Sequence, residues 1–173
     1  FAGIDDATTW NFTTAAEPDT TAPSVNTDGF SPADNLDEVA PNTDLVITFD
    51  EAIQAGTGNI IITDGDGTPI EIDVTDTNAV TITGNTITIN PPADLEFSKD
   101  YNVTIPAGVI EDLAGNPFAG IDDPNTWNFT TAAEPDTTAP SVDTTNGFAP
   151  VDDADDVAAD TNLVITFDEP IQA

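Results

Sequence analysis

Acidic oxygens are the abundant reactive groups in this chain. Its 173 residues hold 33 Asp and Glu against one basic residue, Lys99, for a formal net charge of -32. Carboxylates in such excess can ligate hard cations. Calcium is the foremost of these, taking about six to eight oxygens from carboxylates, amides, backbone carbonyls and water. Paired at suitable spacing, they can also hydrolyse glycosidic bonds. The absence of His, Cys and Arg excludes Ser–His and Cys–His nucleophiles, His-ligated zinc and arginine clamps on phosphate. No Gly-rich phosphate loop occurs. A carboxylate hydrolase would need a groove lined by aromatics, and 9 Phe, 2 Trp and 1 Tyr are few for that purpose. The chain therefore reads as no enzyme. Nucleic acids and anionic membrane surfaces would repel it.

The elements that position these acids are short strands in a repeating frame. Residues 1–25 return at 118–142 with 23 of 25 identical, only Ala7/Pro124 and Thr8/Asn125 differing. LVITFDEAIQA at 45–55 returns as LVITFDEPIQA at 163–173, so the offset grows from 117 to 118 across one inserted residue. Such a period fits one β-sandwich domain. Strand signals fall at Ser24–Phe30, Leu45–Phe49, Asn59–Thr63, Ile70–Val74, Val80–Thr83, Thr86–Asn90, Tyr101–Ile105 and Trp127–Thr131. Gly84-Asn85 marks a hairpin turn. Short helical turns are expected at Ala93–Ser98 and Val109–Leu113. Trp10/Trp127 and Phe12/Phe129 each share a strand face and read as core anchors. Leu95 and Tyr101 are placed to pack at a corner. Asn11, Asn102 and Asn128 open N-x-T sequons on strands, where no glycan is expected.

The expected organisation is a C-terminal strand of a preceding repeat (1–14), a linker (15–23), a complete domain (21–131), a second linker (132–140) and the start of a following repeat (139–173). AAEPDTTAP at 132–140, copied at 15–23, holds two prolines and reads as short and stiff. The chain lacks Met and Cys, so it uses no disulfide and reads as a fragment or processed chain. No apolar stretch approaches the ~20 residues of a membrane span.

The motifs DTTAPSV, NLVITFDEPIQ, LEFSKDYNVTIPAG, EDLAGNPF and TWNFTT together resemble the bacterial Ig-like repeat domains of large extracellular adhesins, of the Big_5 or SwmB-like type. The resemblance implies an all-β, immunoglobulin-like antiparallel sandwich in tandem repeats of about 117 residues. It also implies a spacer role in secreted or cell-surface proteins, calcium between domains in acidic relatives, and no catalytic residues.

In such a sandwich the chain entry, the end of the second strand and the long loop before the last strand share one pole. That topology predicts convergence of the incoming linker (Glu17, Asp19), Asp50 and Glu51, and the loop bearing Glu111, Asp112, Asn116, Asp122 and Asp123. Asp136, Asp168 and Glu169 are the counterparts for the next repeat. A cation there would fix the angle between domains. Asp64-Gly-Asp-Gly67 is a second metal candidate that reads better as a hairpin turn. Asp34, Asp37 and Glu38 are weaker still.

The expected function is a structural spacer, stalk or filament module of a secreted or cell-surface protein, with calcium stiffening its acidic joints. A ligand-binding adhesive module for sugar or protein is the alternative. The expected partners are neighbouring copies of the same repeat, in the same chain or by strand complementation between chains.

Overall fold

A computed structural model describes residues 11–143, 145 and 147–172. The chain divides into two compact units, Phe1–Glu134 and Pro135–Ala173. Among the described residues there are thirteen strands and no helix.

The first unit is a sandwich of two main sheets. One has the order β1-β3-β8-β7, from β1 (Val25–Ser31), β3 (Leu45–Phe49), β8 (Thr86–Ile89) and β7 (Val80–Thr83). The other has the order β2-β11-β9-β5-β6, from β2 (Leu36–Val39), β11 (Asn128–Thr131), β9 (Asp100–Thr104), β5 (Asn59–Thr63) and β6 (Ile70–Asp73). A short ribbon pairs β4 (Ile53–Ala55) with β10 (Ile110–Asp112). The all-β immunoglobulin-like architecture expected from the sequence is present.

Alternation drives these strands. In LVITF, Leu45, Ile47 and Phe49 point inward while Val46 and Thr48 are half-buried, and NIIIT inverts the pattern with Ile60 and Ile62 inside. β-branched residues suit this pleated, half-buried setting. The two inner faces meet in one apolar cluster that includes Trp127 and Phe129. Each such side chain taken from water contributes roughly 1.5–3 kcal/mol. Gly84, at φ +62°, supplies the left-handed residue that turns β7 into β8.

Trp127 and Phe129 occupy the core as expected. Trp127 stacks on Phe30 with ring centroids 4.9 Å apart and donates Nε1–H to the Pro32 carbonyl at 2.8 Å. The Tyr101 hydroxyl accepts the Glu96 N–H at 3.1 Å, closing the expected corner. Trp10 lies outside the described residues. Phe12, identical in local sequence to Phe129, is 81% exposed against 1% for Phe129.

Two expectations need correction. Val109–Leu113 forms no helical turn, because Ile110–Asp112 is β10, held antiparallel to β4. Ala93–Ser98 also contains no helix. Its end turns back instead, with the Ser98 N–H donating to the Ala132 carbonyl at 3.0 Å.

The second unit repeats the opening of the first. Its β12 (Phe148–Ala149) and β13 (Val164–Ile165) pair Phe148 with Ile165 and Ala149 with Val164. These are the counterparts of Phe30↔Ile47 and Ser31↔Val46. The Val142↔Phe167 bridge likewise matches Val25↔Phe49.

Candidate metal centre

Asp19, Glu51 and Asp112 each present a carboxylate oxygen, and these oxygens all lie within 4.8 Å of one another. Asp19 belongs to the incoming linker, Glu51 follows β3, and Asp112 ends β10. They span nearly a hundred residues of sequence. The sandwich connectivity joins them.

Asp112 is the fixed point. It is 1% exposed. Its Oδ1 accepts the N–H groups of Ala114 (2.9 Å) and Asn116 (2.7 Å), and its Oδ2 accepts Asn116 Nδ2 (2.7 Å). Burial pushes its pKa up, but hydrogen bonds from the Asn116 side chain and from the Asn116, Ala114 and Gly115 N–H groups outweigh it. They hold the group below the ordinary carboxylate value. Asp112 is thus an ionised carboxylate in a buried position. Glu51 moves the other way. Burial raises its pKa, and the charges of Asp19, Asp112 and Asp50 raise it further.

Asn116 joins the linker to this centre. The Nδ2 that donates to Asp112 also donates to the Asp19 carbonyl at 3.2 Å. The Asp19 Oδ1 accepts the Thr21 N–H at 3.0 Å, shaping the chain just before β1.

Asp50 has a different task. Its two oxygens accept the Ser24 N–H (2.8 Å) and the Ser24 hydroxyl (2.7 Å). Ser24 holds Asp50 below its ordinary pKa. Asp50 therefore pins the start of β1 and so places the linker. Glu111 accepts Gln54 Nε2 at 3.0 Å across the β4–β10 ribbon. Asp123 caps its own loop through the Asn125 N–H and Nδ2, and Asp122 is exposed. Neither joins the three-carboxylate group, nor does the exposed Glu17.

The second unit carries half of the same arrangement. The Thr138 N–H donates to Asp136 Oδ1 at 2.8 Å, as Thr21 does to Asp19. Ser141 donates its N–H and hydroxyl to Asp168 at 2.8 and 2.6 Å, as Ser24 does to Asp50. Burial raises the Glu169 pKa, as do the charge of Asp136, a hydrogen bond with it and the charge of Asp168. These 173 residues hold no counterpart of Asp112 for that unit.

The loop at Asp64-Gly-Asp-Gly67 already contains a cation. Lys99 Nζ lies 3.2 Å from Asp64 Oδ2 and 3.3 Å from Asp66 Oδ2, and Asp64 Oδ1 also accepts the Asp66 and Gly67 N–H groups. The chain's one basic side chain is thereby committed to this loop. Asp34 is engaged too, its Oδ1 accepting the Asn128 N–H and Nδ2 at 3.0 Å.

No helix among the described residues is long and apolar enough to cross a membrane. None of the curated proteins resembles the chain in sequence. Crystal structures of the S-layer protein rSbsC(31-844) and of the N-terminal part of the bacterial S-layer protein SbsC are similar at 20% and 19% identity, each with a TM-score of 0.41. Each match covers 70% of this chain, which spans only 15% and 26% of those two chains. The profile of the bacterial Ig-like domain family, Big_5, matches residues 19–131. That span opens at Asp19 and closes with β11, taking in all three converging carboxylates, and the chain belongs to the bacterial Ig-like domain family.

Proposed function

We propose that the chain is a structural spacer module of a secreted or cell-surface repeat protein, with calcium bound at Asp19, Glu51 and Asp112 to fix the linker on the sandwich. The observation that carries this reading is the three-carboxylate convergence itself. Three negative oxygens within 4.8 Å repel one another, and Lys99 is engaged elsewhere. A cation from solution would neutralise them. A hard divalent cation fits an all-oxygen donor set, with water or backbone carbonyls completing the shell.

The mechanism is mechanical. Asp112 is held rigidly by its loop, Glu51 is fixed by β3, and Asp19 rides on the linker. A cation bridging the three ties the linker to two framework elements and restricts its entry direction. Recurrence of the Asp136, Asp168 and Glu169 geometry supports one such joint per repeat. The module works without catalysis, by holding neighbouring repeats at a set distance and angle.

Thermal melting with and without calcium tests the reading. A ligand that binds only the folded state raises its stability as ligand concentration rises. The melting temperature of the first unit should climb with calcium, and Asp112→Asn should abolish most of the rise. An unchanged melting temperature, or an equal rise in Asp112→Asn, would remove calcium from this account.

A further inference from the structure

We infer that Asn116 latches the incoming linker to the sandwich without any cation. The purpose of this latch rests on the reading of Asp19, Glu51 and Asp112 as a calcium joint, whereas its existence is measured in the absence of calcium.

Asn116 closes the loop Asp112-Leu-Ala-Gly-Asn116, within the EDLAGNPF motif. The loop fixes its backbone from both sides. Gly115, at φ +89°, lets the chain double back, and its N–H donates to the Asp112 carbonyl at 3.2 Å. The Asn116 N–H donates to Asp112 Oδ1 at 2.7 Å, and the Asn116 carbonyl accepts the Asp112 N–H at 3.0 Å. Pro117 disfavours the helical region for Asn116 and bridges to Glu111. Asp112 is itself buried. The Asn116 side chain therefore starts from an anchored backbone and rests on an anchored partner.

An asparagine amide nitrogen carries two protons. Here both are engaged. One goes to Asp112 Oδ2 at 2.7 Å and the other to the Asp19 carbonyl at 3.2 Å. The second bond spans 97 residues of sequence and grips the main chain of the linker. It leaves the Asp19 carboxylate free to meet a cation. Further along, Asp50 accepts the Ser24 N–H and hydroxyl at 2.8 and 2.7 Å. Between these two points Pro23 is buried and its φ is fixed by the ring. The stretch from Asp19 to Ser24 is thus held at both ends by the protein's own groups. The latch opposes the mutual repulsion of the Asp19, Glu51 and Asp112 oxygens, which lie within 4.8 Å of one another. It sets Asp19 beside the other two carboxylates in advance, so the linker need not be ordered at the moment a cation binds. Asn116 is a positioning residue for that centre.

Nitrogen-15 relaxation of the intact chain in chelator, at about 0.15 M NaCl, reads the linker directly. The Thr20 and Thr21 amides should be as rigid as the strands, with order parameters near about 0.85, and Asn116→Ala should lower them below about 0.6. Asn116→Asp keeps the size but lacks the donor nitrogen, and should do the same. The Trp127 indole resonance should hold its position in both variants, as a check that the sandwich is intact. Asp50→Ala leaves Asn116 untouched, and should lose order at Ser24 while keeping it at Thr20. A parent with Thr20 and Thr21 below about 0.6 would overturn the inference. Equal order in the parent and both Asn116 variants would also overturn it, as would loss of Thr20 order in Asp50→Ala. None of these failures touches calcium-dependent melting, which tests the calcium joint separately.

Discussion

The pentapeptide Trp-Asn-Phe-Thr-Thr occurs twice, and its two phenylalanines should respond oppositely to truncation. Phe129 is 1% exposed, stacks on Tyr101 at 6.0 Å and sits between β2 and β9. Phe129→Ala removes a buried aromatic ring from a closed core, a change that costs about 3–5 kcal/mol. For a domain of this size about 4 °C is lost per kcal/mol, so the melting temperature should fall by about 12–20 °C. Phe12 is 81% exposed, and Phe12→Ala should stay within about 0.5 kcal/mol of the parent. Urea unfolding at a dilution where the chain is monomeric measures both. Trp10→Phe in the background leaves buried Trp127 as the sole tryptophan reporter of the first unit. Equal costs at the two positions, or a loss below about 1 kcal/mol for Phe129→Ala, would refute the assignment of residues 127–131 to the core strand.

Other outcomes follow from the same geometry. The Glu51 pKa is raised in the fold, so its deprotonation costs stability that returns as pH falls through the folded value, whereas Asp112 and Asp50 are lowered and contribute stability that is lost as pH falls through theirs. Calcium at this site would need ionised Glu51, so calorimetry in buffers of different ionisation enthalpy should show proton release on binding that shrinks as pH rises. Asp50→Ala frees the Ser24 N–H. Amide exchange should quicken there, and calcium affinity should weaken less than in Asp112→Asn. Lys99→Met leaves Asp64 and Asp66 without a cation. Its melting temperature should fall modestly at low salt, and the gap should close at about 1 M NaCl, where screening reaches about 3 Å.

Much of the framework was legible in the sequence because alternation reports burial directly. LVITF and NIIIT carry their inward residues at every second position, and both form strands at the expected limits. β2, β4 and β10 were not legible. LDEV, IQA and IED are short, contain polar or acidic residues, and form through distant pairings that local pattern does not encode. The parallel β2–β11 contact joins segments about ninety residues apart. Missing β10 also hid what distinguishes Asp112 from Glu111. On a strand, Asp112 shares the buried face of Ile110 while Glu111 turns outward to Gln54. Adjacent Asp50 and Glu51 read alike until Ser24 is seen to occupy Asp50. The role of Lys99 was hidden for a similar reason, since its partners lie 33 and 35 residues upstream.

Calcium held by Asp19, Glu51 and Asp112 would join the linker to the sandwich. Isothermal titration of calcium into the intact chain, repeated with Glu51→Gln and Asp112→Asn, tests it most directly. Binding should be saturable in the parent, with an affinity at least about tenfold weaker in each variant. Saturable binding of equal strength in all three proteins, or no saturable heat in the parent, would contradict it.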